Sequence, residues 1–101
     1  MARPSTPPPV LMTMAEAYVA RDRVAPLPGV CGAEVRSNRD EAEDPWLRDQ
    51  PGYHVYVATV RGMVTLPTVA TVATYARDRA RAGREARIRA DSLNVVGGGA
   101  R

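Results

Sequence analysis

Residues Tyr53 to Val60 read Tyr-His-Val-Tyr-Val-Ala-Thr-Val. Tyr, Val and Thr fit a pleated, half-buried surface, so the run predicts a strand. Alternation sends Tyr53, Val55, Val57 and Thr59 to one side, and His54, Tyr56, Ala58 and Val60 to the other. Both sets are largely apolar, so the strand needs cover on both sides, and the rest of the chain must supply two layers. Arg61-Gly62 permits a tight turn, with Gly in the second position, where a positive φ suits it. Met63 to Leu66 then returns as a second strand, which gives a small antiparallel hairpin. Val30 to Val35 reads as a further short strand.

Two helices are predicted, the second of them packed on the hairpin. The first runs from Met14 to Val24. Thr13 and Glu16 have capping-box spacing, in which each side chain satisfies a free N–H at the other's position. Met14, Ala17, Tyr18 and Arg21 lie on one side, with Leu11 and Val19 extending the apolar surface. The segment Ala25-Pro26-Leu27-Pro28-Gly29 ends the helix, because Pro removes donors and restricts the residue before it.

The second helix is long. Thr68 to Ala76 repeats Thr-Val-Ala, Thr-Val-Ala, Thr-Tyr-Ala, and its β-branched density locally favours a strand. Downstream, Arg77 to Asp91 is strongly helix-forming apart from Gly83. One helix from Pro67 to Ala90 reconciles the two, with Pro67 in its first turn. Val69, Val72, Ala73, Ala76 and Ala80 give it an apolar stripe at helical spacing. Gly83 is a weak point, about 1 kcal/mol worse than Ala. Ser92 to Val96 is expected to add a short strand.

The fold class is therefore α+β: an N-terminal helix, a small antiparallel hairpin and a long C-terminal Arg-rich helix. Residues 1–9 form a Pro-rich arm, 10–96 a single small domain with an acidic loop over 36–52, and 97–101 a flexible tail. The apolar supply is thin. Leu, Ile and Val make 19 of 101 residues, there is no Phe, and Ala contributes 16. A core this modest gains from burial against a partner or a second copy.

The chain has 14 Arg and no Lys, for a net charge of +3. Lys, Phe, Ile and Asn are all scarce or absent, and Ala and Val abundant, so a GC-rich source explains much of the bias. Placement carries more information than number. Cys31 to Gly52 holds a net −3, and Tyr53 to Arg101 a net +5. Separated charge of this kind pairs within one fold or between copies.

The Arg-rich helix is the strongest functional candidate. Arg77, Arg81 and Arg84 are spaced i, i+4, i+7 and share a face, and Arg79, Arg87 and Arg89 widen it. Such a stripe suits phosphates, whose oxygens accept from guanidinium forks. A solvated helix with internal pairs explains the same residues, since Arg81–Glu85, Glu85–Arg89 and Arg87–Asp91 all sit at i, i+4. A helix-turn-helix with its turn at Gly83 matches poorly, because Arg84 to Asp91 has one large apolar anchor, Ile88. Trp46 and Leu47, set among Asp40, Glu41, Glu43, Asp44 and Asp49, are candidate partner-binding residues. The alternative is that Trp46 folds back to cap the core.

No catalytic, cofactor-binding or metal-binding residues stand out. His54 lies in a strand without a marked nucleophile, and Cys31 reads as a small buried or loop residue. Phosphate-loop, dinucleotide and nucleophile-elbow motifs are absent, and the acids lack calcium-loop spacing. One Cys and one His do not make a four-ligand zinc site on their own. Val55 to Ala76 is long enough to span a bilayer, but Arg61, Pro67 and five Thr interrupt it. An Arg near the bilayer centre costs about 2.5–3.5 kcal/mol. No charged-then-apolar secretory signal opens the chain.

These features point to a non-enzymatic interaction or assembly protein, a small subunit of a larger bacterial or phage complex, cytoplasmic or virion-associated. Its expected partner is another protein or a second copy, with no membrane and no cofactor. The alternative is a nucleic-acid-binding protein that uses residues 77–89.

Overall fold

A computed structural model describes residues 10–99, with side chains through Ser92. The arm over 1–9 and the tail residues 100–101 lie outside the described residues. In chain order the elements are α1 (Met14–Val24), β1 (Val30–Ser37), α2 (Asn38–Glu41), α3 (Pro45–Arg48), β2 (Tyr53–Thr59), β3 (Gly62–Leu66) and α4 (Val69–Gly99). The fold is α+β, and β1-β2-β3 form one antiparallel sheet with β2 in the middle. The strand expected over Ser92–Val96 is instead part of α4, which runs to Gly99.

The register explains how β2 is covered on both sides. Val35 pairs with Val55 and Ala33 with Val57; across the hairpin, Val55 pairs with Leu66 and Val57 with Val64. Directly paired residues point the same way, so these six share one face. α1 and α4 cover that face, where Met12, Ala17, Ala20, Val24, Leu66 and Val72 enclose Val55 and Val57. Val55 and Val57 are fully buried, and each contributes about 1.5–3 kcal/mol relative to exposure. The opposite face carries Glu34, Arg36, His54 and Tyr56, and α2 and α3 lie over its His54 end.

The hairpin turn sits one residue earlier than the sequence suggests. Val60 and Arg61 form the loop, and Gly62 opens β3 with φ +130°. Thr59 Oγ1 accepts from the Arg61 N–H at 3.1 Å and donates to the Gly62 carbonyl at 2.6 Å. Thr59 thereby closes the turn, and the positive φ falls where glycine is needed.

The capping box of α1 forms as predicted. The Thr13 N–H donates to Glu16 Oε1 at 2.9 Å, and the Glu16 N–H to Thr13 Oγ1 at 3.1 Å. The buried stripe differs from the one predicted. Ala17, Ala20 and Val24 face the sheet, whereas Met14 and Tyr18 are about half exposed. Small side chains let the helix backbone approach the sheet closely, and Met12, just before the cap, supplies the missing bulk.

The start of α4 resolves the ambiguous Thr-Val-Ala repeat in favour of helix. Thr68 Oγ1 accepts from the Thr71 N–H at 3.1 Å, and the Thr68 N–H donates to Thr71 Oγ1 at 3.0 Å. This reciprocal cap satisfies two free donors at the helix start. Pro67 stands just before the cap rather than in the first turn. Of the predicted stripe, Val72 and Ala76 are buried, Ala73 and Ala80 half-buried, and Val69 exposed.

Gly83 does not break α4. The helix runs straight through it, so no helix-turn-helix exists there. A Cβ at Gly83 would lie 2.4 Å from Pro28 Cγ, closer than carbon atoms approach. The loop between α1 and β1 rests on the helix at this point, and the Arg79 Nε–H donates to the Pro28 carbonyl at 2.9 Å beside it. Propensity alone makes Gly83→Ala stabilising by about 1 kcal/mol. The clash reverses the sign, and urea unfolding should show a net loss of about 1–3 kcal/mol. An increased midpoint would mean that Pro28 does not seat on the helix.

Candidate functional site

The face of the sheet away from α1 and α4 carries most of the polar structure. His54 and Asn38 are both fully buried. His54 Nδ1 lies 2.8 Å from Asn38 Oδ1. An amide oxygen only accepts, so the imidazole proton sits on Nδ1. That leaves Nε2 as a buried nitrogen with no hydrogen-bond partner among the described residues. Asn38 is held in turn: its Nδ2 donates to the Pro51 carbonyl at 3.4 Å and its backbone N–H to the Gly52 carbonyl at 3.0 Å. Burial is the main cause that lowers the His54 pKa below 6.5, with help from the Arg36 charge, against an opposing pull from Glu41 and Glu43.

Next to His54, the Arg36 guanidinium lies 3.8 Å from the centroid of the Tyr56 ring. Arg36 also pairs with Glu34. The Tyr56 hydroxyl donates to Glu43 Oε1 at 2.6 Å, and this bond raises the Tyr56 pKa above 10.0. The Arg48 Nε–H donates to the Ala42 carbonyl at 2.6 Å, tying α3 to the segment after α2. The acidic loop expected over 36–52 therefore contains two short helices, fastened to the sheet through Asn38 and Glu43 and to each other through Arg48 and the Ala42 carbonyl. Trp46 and Leu47 part company there. Leu47 is fully buried and serves the fold, while Trp46 is 52% exposed and does not cap the core. Asp40, Asp44 and Asp49 around it are exposed.

The Arg residues of α4 also separate into two kinds. Arg79 is half-buried and committed to the Pro28 carbonyl. Arg77, Arg81, Arg84, Arg87 and Arg89 are exposed. The ion pairs among the described residues are Arg21–Asp22 and Arg36–Glu34. None of the three i, i+4 pairs expected along α4 is closed. From Arg84 to Ser92 every residue is exposed, so the helix projects beyond the body past Gly83. Ile88, 65% exposed, lies on the same face as Arg77, Arg81 and Arg84.

Several open hollows adjoin these surfaces, two of which bear on the site. One, of about 320 Å³, lies between α1 and the start of α4 and is lined by Ala15, Val19, Ala20, Arg23, Val69 and Val72 among others. The other, of about 280 Å³, lies on the uncovered end of the sheet's polar face, between Gly32, Glu34, Tyr56, Ala58 and Met63. Among the described residues no three His, Cys, Asp or Glu side chains converge to hold a metal, and no helix is long and apolar enough to cross a membrane. Cys31 is exposed, at the irregularity between Val30 and Gly32 in β1. Comparison with protein families, curated proteins and solved structures returned no match to this chain.

Sequence reasoning missed the His54–Asn38 pair, because the partners are sixteen residues apart and joined through an irregular segment. Asn38→Ala should cost about 1–3 kcal/mol, since it strands the buried Nδ1–H. Acid should weaken the fold through His54. The folded pKa is below the unfolded value of 6.5, so the unfolded chain binds the proton first. Stability from this group is complete above pH 6.5 and falls as pH drops toward the folded pKa. His54→Gln should flatten this part of the pH dependence of the urea midpoint. An unchanged slope would remove His54 as its source.

Proposed function

We propose that this chain is a non-enzymatic interaction or assembly protein, a small subunit of a larger complex that docks through the projecting part of α4. Its place is the cytoplasm or a virion. The observation that carries the reading is that α4 is exposed on every side from Arg84 to Ser92. A helix without tertiary packing is marginal in water, because helices in proteins draw most of their stability from a buried face. A partner that buries this stretch supplies what the body does not. The thin core and the separated charges support the same reading. A catalytic role has little to draw on: the single His points its Nδ1–H at an Asn and keeps its other nitrogen buried.

Truncation after Ala86 tests the proposal, because it removes much of the projecting helix and leaves the packed part of α4 in place. The truncated chain should keep the thermal midpoint of the full chain to within a few degrees and lose concentration-dependent association in sedimentation velocity. Association that survives truncation would place the docking surface elsewhere.

A second reading is favoured by one specific observation, the open i, i+4 pairs, which leave the Arg stripe free to contact phosphates. Under it, Arg77, Arg81, Arg84, Arg87 and Arg89 bind a nucleic acid backbone. Fluorescence anisotropy with a labelled duplex should then show affinity that falls with salt, with a shallower salt dependence after Arg77→Gln, Arg81→Gln and Arg84→Gln. Absence of binding at low salt would end this reading for duplex DNA.

A further inference from the structure

We infer that the occupant of the exposed α4 face is a second copy of this chain, which receives it on the surface around Trp46. The inference rests on the assembly reading and names its partner. Three observations lead to it.

The first is topological. α4 packs with α1 on the Val55 and Val57 face of the sheet, whereas α2 and Glu43 lie on the His54 and Tyr56 face, with α3 tied to them through Arg48. The sheet stands between the basic helix and the acidic surface, so one chain cannot bring its own two together.

The second is charge. Among the described residues, the exposed arginines of α4 have no carboxylate partner, and neither Asp40, Asp44 nor Asp49 is in an ion pair. The segments that hold them carry opposite net charge, +5 over Tyr53 to Arg101 and −3 over Cys31 to Gly52. Guanidinium–carboxylate forks between copies satisfy both sets.

The third is the apolar residue within each charged patch. Ile88 continues the row Arg77, Arg81, Arg84 at i+11 and is 65% exposed. Trp46 stands 52% exposed among the carboxylates. A large aliphatic side chain in an Arg row has no use against phosphates, but it suits an indole on a protein surface. Aromatic anchors within a charged rim are the usual centre of a protein interface.

The contact joins different surfaces of the two copies, so it is head-to-tail. Each chain keeps one free helix and one free acidic face until a ring closes or a filament grows.

Trp46 is the only Trp, so its emission reports this interface directly. The wild-type chain should associate as concentration rises at low salt, with a blue shift of Trp46 emission, and both should fade at high salt. Two charge-reversed variants sharpen the test, one carrying Arg81→Glu, Arg84→Glu and Arg87→Glu, the other Asp40→Arg, Asp44→Arg and Asp49→Arg. All six sites are exposed. Each variant alone should associate about 100-fold or more weakly, because like charges then meet. An equimolar mixture restores both kinds of contact and should recover association and the blue shift. Should either variant fold poorly, Ile88→Ala serves instead, with an expected loss of about tenfold or more and no change in charge.

Association that truncation after Ala86 abolishes, but with Trp46 emission unmoved and no recovery in the mixture, would overturn this inference and leave the assembly reading in place. A wild-type chain that stays monomeric at low salt while its α4 arginines bind a duplex would overturn it in favour of nucleic acid.

Discussion

Close approach governs this fold. The chain has few large apolar side chains, so burial has to come from bringing backbones near one another. α1 presents Ala17 and Ala20 to the sheet, α4 presents Ala76 and Val72, and the floor beneath them is Val55 and Val57. Because Ala leaves little space between backbones, each helix position depends on small contacts. The Pro28 ring against Gly83 belongs to the same pattern, as does the Arg79 hydrogen bond to the Pro28 carbonyl. One larger side chain at any of these points would lift a helix from the sheet and open the main apolar layer among the described residues.

Features that depend on neighbouring residues were legible in the sequence. Thr13 and Glu16 are three residues apart, and their capping box needs nothing else. Tyr53 to Val60 is rich enough in Tyr, Val and Thr to define a strand, and its two largely apolar faces demand cover on both sides. The Thr68 repeat was ambiguous because its side chains suit strands, while its capping hydroxyls and small stripe suit a helix. Packing of Val72 and Ala76 against the core decides the matter. Met14 and Tyr18 look like core residues, yet they stand to one side of the Ala17, Ala20 and Val24 face that meets the sheet.

The polar side of the sheet was mostly hidden from sequence reasoning. Its helices have four residues each, too short to show a period. Asn38 reaches His54 only because β1 and β2 pair in a register that carries Ser37 opposite Tyr53. Of the candidate site residues, the exposed arginines of α4 and Trp46 stand where a partner can meet them. Arg79 and Leu47 are occupied with the fold. The distinction is invisible in composition, since Arg79 differs from its neighbours only in facing the loop that holds Pro28.

The seat of Pro28 on Gly83 also sets the phase of everything beyond it. An α-helix advances about 100° per residue, and no further contact re-orients α4 between Gly83 and Ser92. The direction in which Arg84 and Ile88 point is therefore inherited from the packed turns that end at Gly83. One residue inserted just after Gly83 would turn the whole projecting segment through about a quarter of a revolution and leave the body untouched. The clamp acts as the index mark of a dial: it adds little surface of its own, yet it decides which way the helix faces.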